Sequence, residues 1–201
     1  MATAALIRHT PEEYFALEAT AEHQSEYIDG QIVAMSPGAA RPHNLLVSEL
    51  IFQLQLHLQH GPCEVYPSTQ RVSVGATGDY LYPDVAVSCD PRFDPNRHST
   101  LLTPLLVIEV LSPSTEKHDR ETKLGRYKQI ESVRECVLIS QTEVRVERHV
   151  RAGDLWPWEV VTDRDASLVL PSIGLEIPLS RLYGKALQLR RWGPRAFGRD
   201  G

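Results

Sequence analysis

The sequence predicts an α/β fold in which one mixed β-sheet is flanked by helices, resembling an α+β arrangement. Two observations predict it. Segments with helical periodicity and runs of strand-forming residues follow in the order helix, hairpin, helix, strands, helix, strands, so they alternate only in part. The 201 residues, 42% hydrophobic and 23% charged, suit one globular domain, which we assign to residues 10–185. Residues 186–201 are predicted to form a basic, flexible tail. The alternative is that this tail contacts a phosphate backbone.

The first helix and the first hairpin are marked by local signals. Thr10 and Glu13 form a capping box around a proline, which predicts a helix that ends near Glu18. Asp29-Gly30 lies between two short strand-like runs and predicts a tight hairpin turn.

A longer helix follows from about His43 to His60. Leu46, Leu50 and Leu54 recur every four residues and predict one apolar face. The segments "CEVYPSTQRVSVG" and "LYPDVAVSC" then predict strands, and "DPRFDPNRHST" predicts a loop.

The second half contains a buried strand, "LLVIEVLS", and a helix over about 115–131 with Leu124, Tyr127 and Ile130 on one side. The segments "RECVLIS" and "EVRVERHVR" predict a strand pair. Further strands and a short helix are predicted in "WPWEVVT" and "SLVLPSIGLEIPLSRLY".

Composition restricts where the protein acts. No apolar run reaches the roughly 20 residues of a membrane helix, and the N-terminus lacks a secretion signal. Cys63, Cys89 and Cys136 are odd in number and widely spaced, which predicts a reducing compartment without disulfides. We therefore expect a cytoplasmic protein that binds no membrane. Its net charge of −5 confines any nucleic-acid binding to a local basic patch.

Two acids occupy buried-looking strands. Asp84 precedes "VAVS", and Glu109 interrupts the aliphatic run "LLVIEVLS", where an unpaired carboxylate is costly. If the two strands are neighbours, the carboxylates converge, and a divalent cation such as Mg²⁺ relieves their repulsion. The alternatives are that Asp84 caps a turn and that Glu109 forms a structural ion pair.

Lys123 lies on an inward-facing side of the third helix. It is four residues before Tyr127 and seven before Ile130, so the three share a helix face. A lysine on such a face can reach toward the acids. The alternative is an exposed i,i+4 ion pair with Asp119.

Four segments together resemble the Uma2 family, also called DUF820, and the resemblance covers roughly residues 10 to 185. The segments are "SEYIDGQIVAMSPGAARPH", "YPDVAV", "LLVIEVLSPSTEKHDRETKLGRYKQI" and "VRECVLIS". That family is assigned to the PD-(D/E)XK nuclease superfamily. The resemblance therefore implies a restriction-endonuclease-like fold and phosphodiester hydrolysis. This chain departs from the family in "VRECVLIS", where members often have an aliphatic-Asp pair and this chain has Ile139-Ser140.

The resemblance also implies roles for particular residues. Asp84 and Glu109 would hold Mg²⁺, or Mn²⁺, with the backbone carbonyl of Val110. The superfamily lysine would fall at Leu111, so in this family it appears on the following helix as Lys123, which would orient a water or stabilise charge on the phosphate.

Glu26 and His43 also match family positions. As alternatives, Glu26 forms a cross-strand pair in its hairpin and His43 serves only as a helix start.

We expect a Mg²⁺-dependent DNA endonuclease that acts as a homodimer. The alternatives are a catalytically silent member that binds nucleic acid or protein, and a hydrolase of small phosphate esters. The aromatic strand face of Trp156 and Trp158 indicates packing or a subunit contact more than base stacking. His57, His60 and Cys63 lack the second ligand cluster of a zinc site.

Overall fold

The computed structural model describes residues 8–35, 38–97 and 100–187. Its strands form two six-stranded sheets and one two-stranded sheet, so the single sheet that the sequence predicts is divided. The fold class is confirmed, because helices flank mixed sheets. No helix among the described residues is long and apolar enough to cross a membrane. Most of the predicted tail, residues 188–201, lies outside the described residues.

The structure contains five helices and fourteen strands within its described residues. The helices are α1 (Pro11–Glu18), α2 (Arg41–Leu58), α3 (Glu116–His118), α4 (Leu124–Tyr127) and α5 (Leu179–Leu182), and a π-helical turn (Asp119–Lys123) joins α3 to α4. The strands are β1 (Ser25–Ile28), β2 (Gln31–Ala34), β3 (Glu64–Pro67), β4 (Val72–Val74), β5 (Asp79–Leu81), β6 (Val85–Ser88), β7 (Phe93–Asp94), β8 (Thr100–Leu101), β9 (Leu106–Leu111), β10 (Glu135–Ser140), β11 (Val146–Val150), β12 (Trp158–Val161), β13 (Ser167–Leu170) and β14 (Leu175–Pro178).

The two large sheets have different strand orders. The first sheet runs β2-β1-β5-β4-β8-β7, and the main sheet runs β12-β11-β10-β9-β6-β3. The short strand β7 lies in the segment predicted as a loop, and β8 begins at its last residue. The turn after β3 carries the chain from the main sheet to the first sheet, and the connector Tyr82–Asp84 carries it back.

The predicted capping box and hairpin are confirmed. The Thr10 hydroxyl accepts from the Glu13 N–H at 3.2 Å, and the Glu13 carboxylate accepts from the Thr10 N–H at 2.9 Å. Asp29 and Gly30 have φ angles of 50° and 80°, the left-handed pair that a two-residue hairpin turn requires.

Strand β9 lies inside the main sheet and positions the site. It pairs in parallel with β10 and antiparallel with β6, and all six of its residues are buried. Leu106 and Ile108 belong to the core that contains the leucines of α2, whereas Val107 belongs to the core on the opposite face, with Tyr127. By strand alternation Glu109 faces the side of Tyr127.

The helix predicted over about 115–131 corresponds to α3, the π-helical turn and α4 together. It ends earlier than predicted, at Tyr127 instead of near 131. The Arg151 guanidinium donates to the carbonyls of Lys128 and Ile130, each at 2.8 Å, and to that of Val133 at 2.7 Å. These bonds satisfy carbonyl groups in the turn that follows, so the chain leaves the helix there.

The prediction of a disulfide-free chain is wrong. Cys63 and Cys89 form a disulfide, and Cys136 is free and buried. The partners are 26 residues apart, but antiparallel pairing places Glu64 opposite Ser88, so the residues just beyond this pair face each other. The Cys63 thiol is therefore used by the disulfide. Among the described residues, no group of three or more His, Cys, Asp or Glu side chains could hold a metal ion.

Replacing both disulfide cysteines by serine should lower the free energy of unfolding by about 3 kcal/mol, because a closed loop of this size restricts the unfolded chain. Urea unfolding measures the change. Wild-type protein treated with a reductant is the matched control and should lose a similar amount. Equal stability of the oxidised wild type and the double variant would contradict the prediction.

A candidate metal and phosphodiester site

Five residues predicted from the sequence lie together at one end of the main sheet. Glu26 lies on β1, His43 in the first turn of α2, and Asp84 in the connector before β6. Glu109 lies on β9 and Lys123 in the π-helical turn. Ion pairs, the His43–Asp84 contact and the hydrogen bond from the Asp84 backbone N–H to Glu109 join all five into one connected network. They come from both large sheets and from two helical segments.

Glu109 is buried in the middle of this network, with 4% of its surface exposed. Its Oε1 lies 2.8 Å from the Lys123 Nζ and accepts a hydrogen bond from the Tyr127 hydroxyl at 2.6 Å. Its Oε2 accepts from the backbone N–H of Asp84 at 3.3 Å. The ion pair considered as an alternative role for Glu109 therefore exists, and it is part of a larger cluster.

Lys123 is equally buried and has three close acceptors. Its Nζ lies 2.9 Å from Glu26 Oε1, 2.8 Å from Glu109 Oε1 and 2.9 Å from the Tyr82 carbonyl oxygen. An ammonium group has three N–H donors, so these acceptors use all of them. Asp119 is farther away, at 3.8 Å, and is itself buried, so the exposed i,i+4 pair is not what the structure contains.

Glu26 belongs to the first sheet and contacts the cluster across the interface between the sheets. Its Oε1 also accepts from the Tyr82 N–H at 3.2 Å, and its Oε2 lies 3.0 Å from His118 Nε2. Burial acts to raise the pKa of Glu26, but the Lys123 ammonium and the hydrogen bonds outweigh it, so the pKa is lowered. Its partners thus lie in the connector before β6, in α3 and in the π-helical turn, and not across the hairpin.

Asp84 is held from two sides. Its Oδ2 accepts from the Val110 N–H at 2.7 Å and lies 3.1 Å from His43 Nε2. The other ring nitrogen of His43, Nδ1, is buried without a hydrogen-bond partner among the described residues. Burial acts to lower the pKa of His43, and Asp84 more than offsets this, so the pKa is raised.

Negative charge dominates the cluster. Three carboxylates lie around Lys123, those of Glu26, Glu109 and Asp119, and a fourth, Asp84, acts on Glu109 and Asp119. Burial and the Asp84 and Asp119 carboxylates raise the pKa of Glu109 well above its usual range, despite the Lys123 ammonium. Burial also acts to lower the pKa of Lys123, but the carboxylates outweigh it and hold the ammonium charged. The arrangement therefore favours an additional positive charge.

Sequence reasoning missed several members of this network. Tyr127 was treated only as a marker of the inward helix face, and Asp119 only as an exposed partner of Lys123. Their spacing of four residues on either side of Lys123 places Asp119 near its ammonium and Tyr127 in contact with Glu109. His118 and the Tyr82 carbonyl carried no signal, because a residue type alone does not indicate which backbone or imidazole group a lysine or glutamate will meet.

The cluster lies at the floor of a cleft with a volume of about 860 Å³. Among the described residues that line it, Lys123 is the only lysine or arginine, and the others are mainly acidic, imidazole, hydroxyl or amide side chains. The lining thus offers many hydrogen-bond acceptors and few positive charges.

A solved structure defines the class of fold. The chain resembles a protein from Anabaena variabilis described as "a putative nuclease belonging to DUF820", with a TM-score of 0.72. The likeness covers 88% of this chain and 98% of that chain at 22% identity, and it shows a shared restriction-endonuclease-like fold.

The family is shown by sequence. Residues 11–180 match Uma2, described as "Putative restriction endonuclease", and the chain belongs to that family. Relatives in Synechocystis sp. include "Uncharacterized protein slr1290", 36% identical over 177 residues, which are 87% of this chain and 90% of that protein. A second, "Uncharacterized protein sll1609", is 35% identical over 146 residues, 72% of this chain and 82% of that protein. The predicted resemblance and fold are therefore confirmed.

Replacing Lys123 by methionine should lower the free energy of unfolding by about 3–5 kcal/mol, because Glu26 and Glu109 would remain buried without their counter-charge. Urea unfolding gives the value. The matched control is Lys117→Met on the same helical segment, where the side chain is 83% exposed and the expected change is within about 0.5 kcal/mol. Equal effects of the two substitutions would contradict the proposed role of the buried ammonium.

Proposed function

We propose that the protein is a Mg²⁺-dependent endonuclease that hydrolyses phosphodiester bonds in DNA, and that one domain over residues 10–185 carries this activity. The observation that supports it most is the placement of two acids, Asp84 and Glu109, at the floor of a cleft within a cluster of excess negative charge. Membership of the family described as "Putative restriction endonuclease" supports the reaction class.

The donor atoms fit Mg²⁺ or Mn²⁺. Asp84 and Glu109 supply carboxylate oxygens, and these hard ions prefer one or two carboxylates together with water and substrate oxygens. Because the N–H and C=O of one strand residue point to the same side, the Val110 carbonyl is directed, like its N–H, toward Asp84. A bound cation would polarise a phosphate oxygen and lower the pKa of a water molecule.

The protein groups then have distinct tasks. Lys123 and Tyr127 fix the orientation of Glu109, and the Val110 N–H and His43 fix Asp84. For Lys123 to contact a water or a phosphate oxygen directly, one of its three present acceptors must be released. We assign it first to holding Glu109, and to charge stabilisation through the electric field of its ammonium.

A catalytically silent binding protein is the second candidate, and one observation favours it. All three donors of Lys123 are occupied by the protein itself, and the described cleft lining offers no other lysine or arginine. The two candidates differ in whether the site cleaves a bound strand.

We further propose that this activity is cytoplasmic, because the proposed substrate is DNA. The disulfide between Cys63 and Cys89 counts against that location, because such bonds are rare in reducing compartments.

Purified protein should cut supercoiled plasmid with Mg²⁺ or Mn²⁺ and not with a chelator. Glu109→Gln and Asp84→Asn should each slow cutting by about 100-fold or more, because they remove a metal-binding charge while keeping the side-chain shape. Lys117→Ala is the control and should cut like the wild type, since its side chain is 83% exposed.

Other outcomes separate the alternatives. Full activity of Glu109→Gln would contradict the assigned site. DNA binding without cutting would support the silent binder. Hydrolysis of bis-p-nitrophenyl phosphate without plasmid cutting would indicate a small phosphate substrate.

We also propose a homodimer joined at the β12 edge of the main sheet, because an edge strand presents unpaired backbone groups. Trp158, which stacks on His149, is 61% exposed, and Leu155 in the preceding turn is 73% exposed. Trp156 is partly buried beneath the Arg151 guanidinium and packs against the core.

Sedimentation velocity should therefore show a dimer for the wild type and a monomer for Trp158→Glu, because a charge at this edge opposes association. The matched control is Phe52→Glu on the outer face of α2, where the side chain is 53% exposed and the dimer should persist. A monomeric wild type would contradict the proposal.

A further inference from the structure

Gln141 lies at the floor of the cleft and belongs to none of the roles described above. It follows β10 directly, and its backbone N–H donates to the Leu111 carbonyl at 3.2 Å, which places it beside the end of β9. Its side chain lines the same cleft as Asp84 and Glu109, and only 6% of the residue is exposed.

Gln141 carries a side-chain oxygen that lacks the hydrogen bond a buried acceptor needs. Its Oε1 is buried and has no partner among the residues that the structure describes. Leaving such a group unsatisfied costs stability, so the residue is better explained by a ligand than by packing. A rotation of the last side-chain torsion exchanges the amide oxygen and nitrogen, so the oxygen can be presented to the cleft.

The chemistry of the cleft floor indicates what that ligand is. Asp84, Glu109 and Asp119 also line the cleft, and each is an acceptor when ionised. A further acceptor in the same cleft is complementary to a positively charged group that carries hydrogen-bond donors. A hydrated divalent cation has both properties, because Mg²⁺ keeps several of its water molecules in protein sites.

We propose that Gln141 Oε1 accepts a hydrogen bond from a water molecule in the hydration shell of the divalent cation held by Asp84 and Glu109. Gln141 thus binds the cation through water and helps fix its position in the cleft. This inference rests on the metal site of the proposed function, but it does not depend on whether the protein cuts DNA.

The test is a titration of metal-free protein with Mn²⁺, without DNA, followed by electron paramagnetic resonance of the free ion. Gln141→Leu should weaken Mn²⁺ binding by about tenfold, the lower end of the effect of losing an outer-shell partner. Gln141→Glu should tighten it, because it adds negative charge at the same place. Without metal, Gln141→Leu should melt at the wild-type temperature or above it, because an unsatisfied buried amide has been removed.

Gln53→Leu is the matched control. Gln53 is also a buried glutamine, 9% exposed, but its amide donates to Glu49 at 2.6 Å within α2, away from the cleft. This variant should melt at a lower temperature and bind Mn²⁺ like the wild type.

Two results would overturn the inference, and they are distinguishable from failure of the proposed function. If Asp84→Asn loses Mn²⁺ binding while Gln141→Leu keeps wild-type affinity, the proposed contact between Gln141 and a metal-bound water is contradicted. The metal site at Asp84 and Glu109 is then still supported. If Gln141→Leu lowers the melting temperature without changing Mn²⁺ affinity, the residue is structural. Weakened Mn²⁺ binding by Gln141→Leu in a protein that cuts no DNA would support the inference and contradict only the nuclease assignment.

Discussion

One buried ammonium group holds together three parts of this molecule. Lys123 Nζ lies within 2.9 Å of Glu26 in the first sheet, of Glu109 in the main sheet and of the Tyr82 carbonyl in the connector between the sheets. A charge in such a place is tolerated only with close partners of opposite sign. The relative position of the two sheets at the cleft therefore depends on a residue carried by the π-helical turn, a rare element that often occurs at functional sites.

The same interaction leaves the cluster with too much negative charge. Two glutamates meet one lysine, and Asp84 and Asp119 add to the imbalance, which raises the pKa of Glu109. A cluster built only for stability would be balanced or apolar, because burying unmatched carboxylates is costly. The excess negative charge is explained if a divalent cation binds in the site. The unmatched carboxylates then reduce the stability of the fold but are needed to bind the cation.

Several features could be predicted because their signals are local. The Thr10 capping box, the Asp29-Gly30 turn and the leucine stripe of α2 are each encoded within a few residues. Glu109 was conspicuous because it interrupts an aliphatic strand, and the helical spacing between Lys123 and Tyr127 indicated that the lysine faces inward.

The remaining features depend on long-range pairing. The division into two sheets follows from which strands meet in space, and the disulfide joins cysteines 26 residues apart, so neither has a local signature. The early end of the third helix depends on Arg151, which is distant in sequence. Gln141 is an ordinary residue after a strand until the folded chain places it in the cleft.

The most direct test of the central claim is a crystal structure of the protein grown with Mn²⁺, with data collected at an energy where manganese scatters anomalously. Our account predicts a single strong anomalous peak between the carboxylates of Asp84 and Glu109 in each chain, and no peak there in Asp84→Asn. A wild-type crystal without a peak at these carboxylates, in protein shown to be folded, would contradict it.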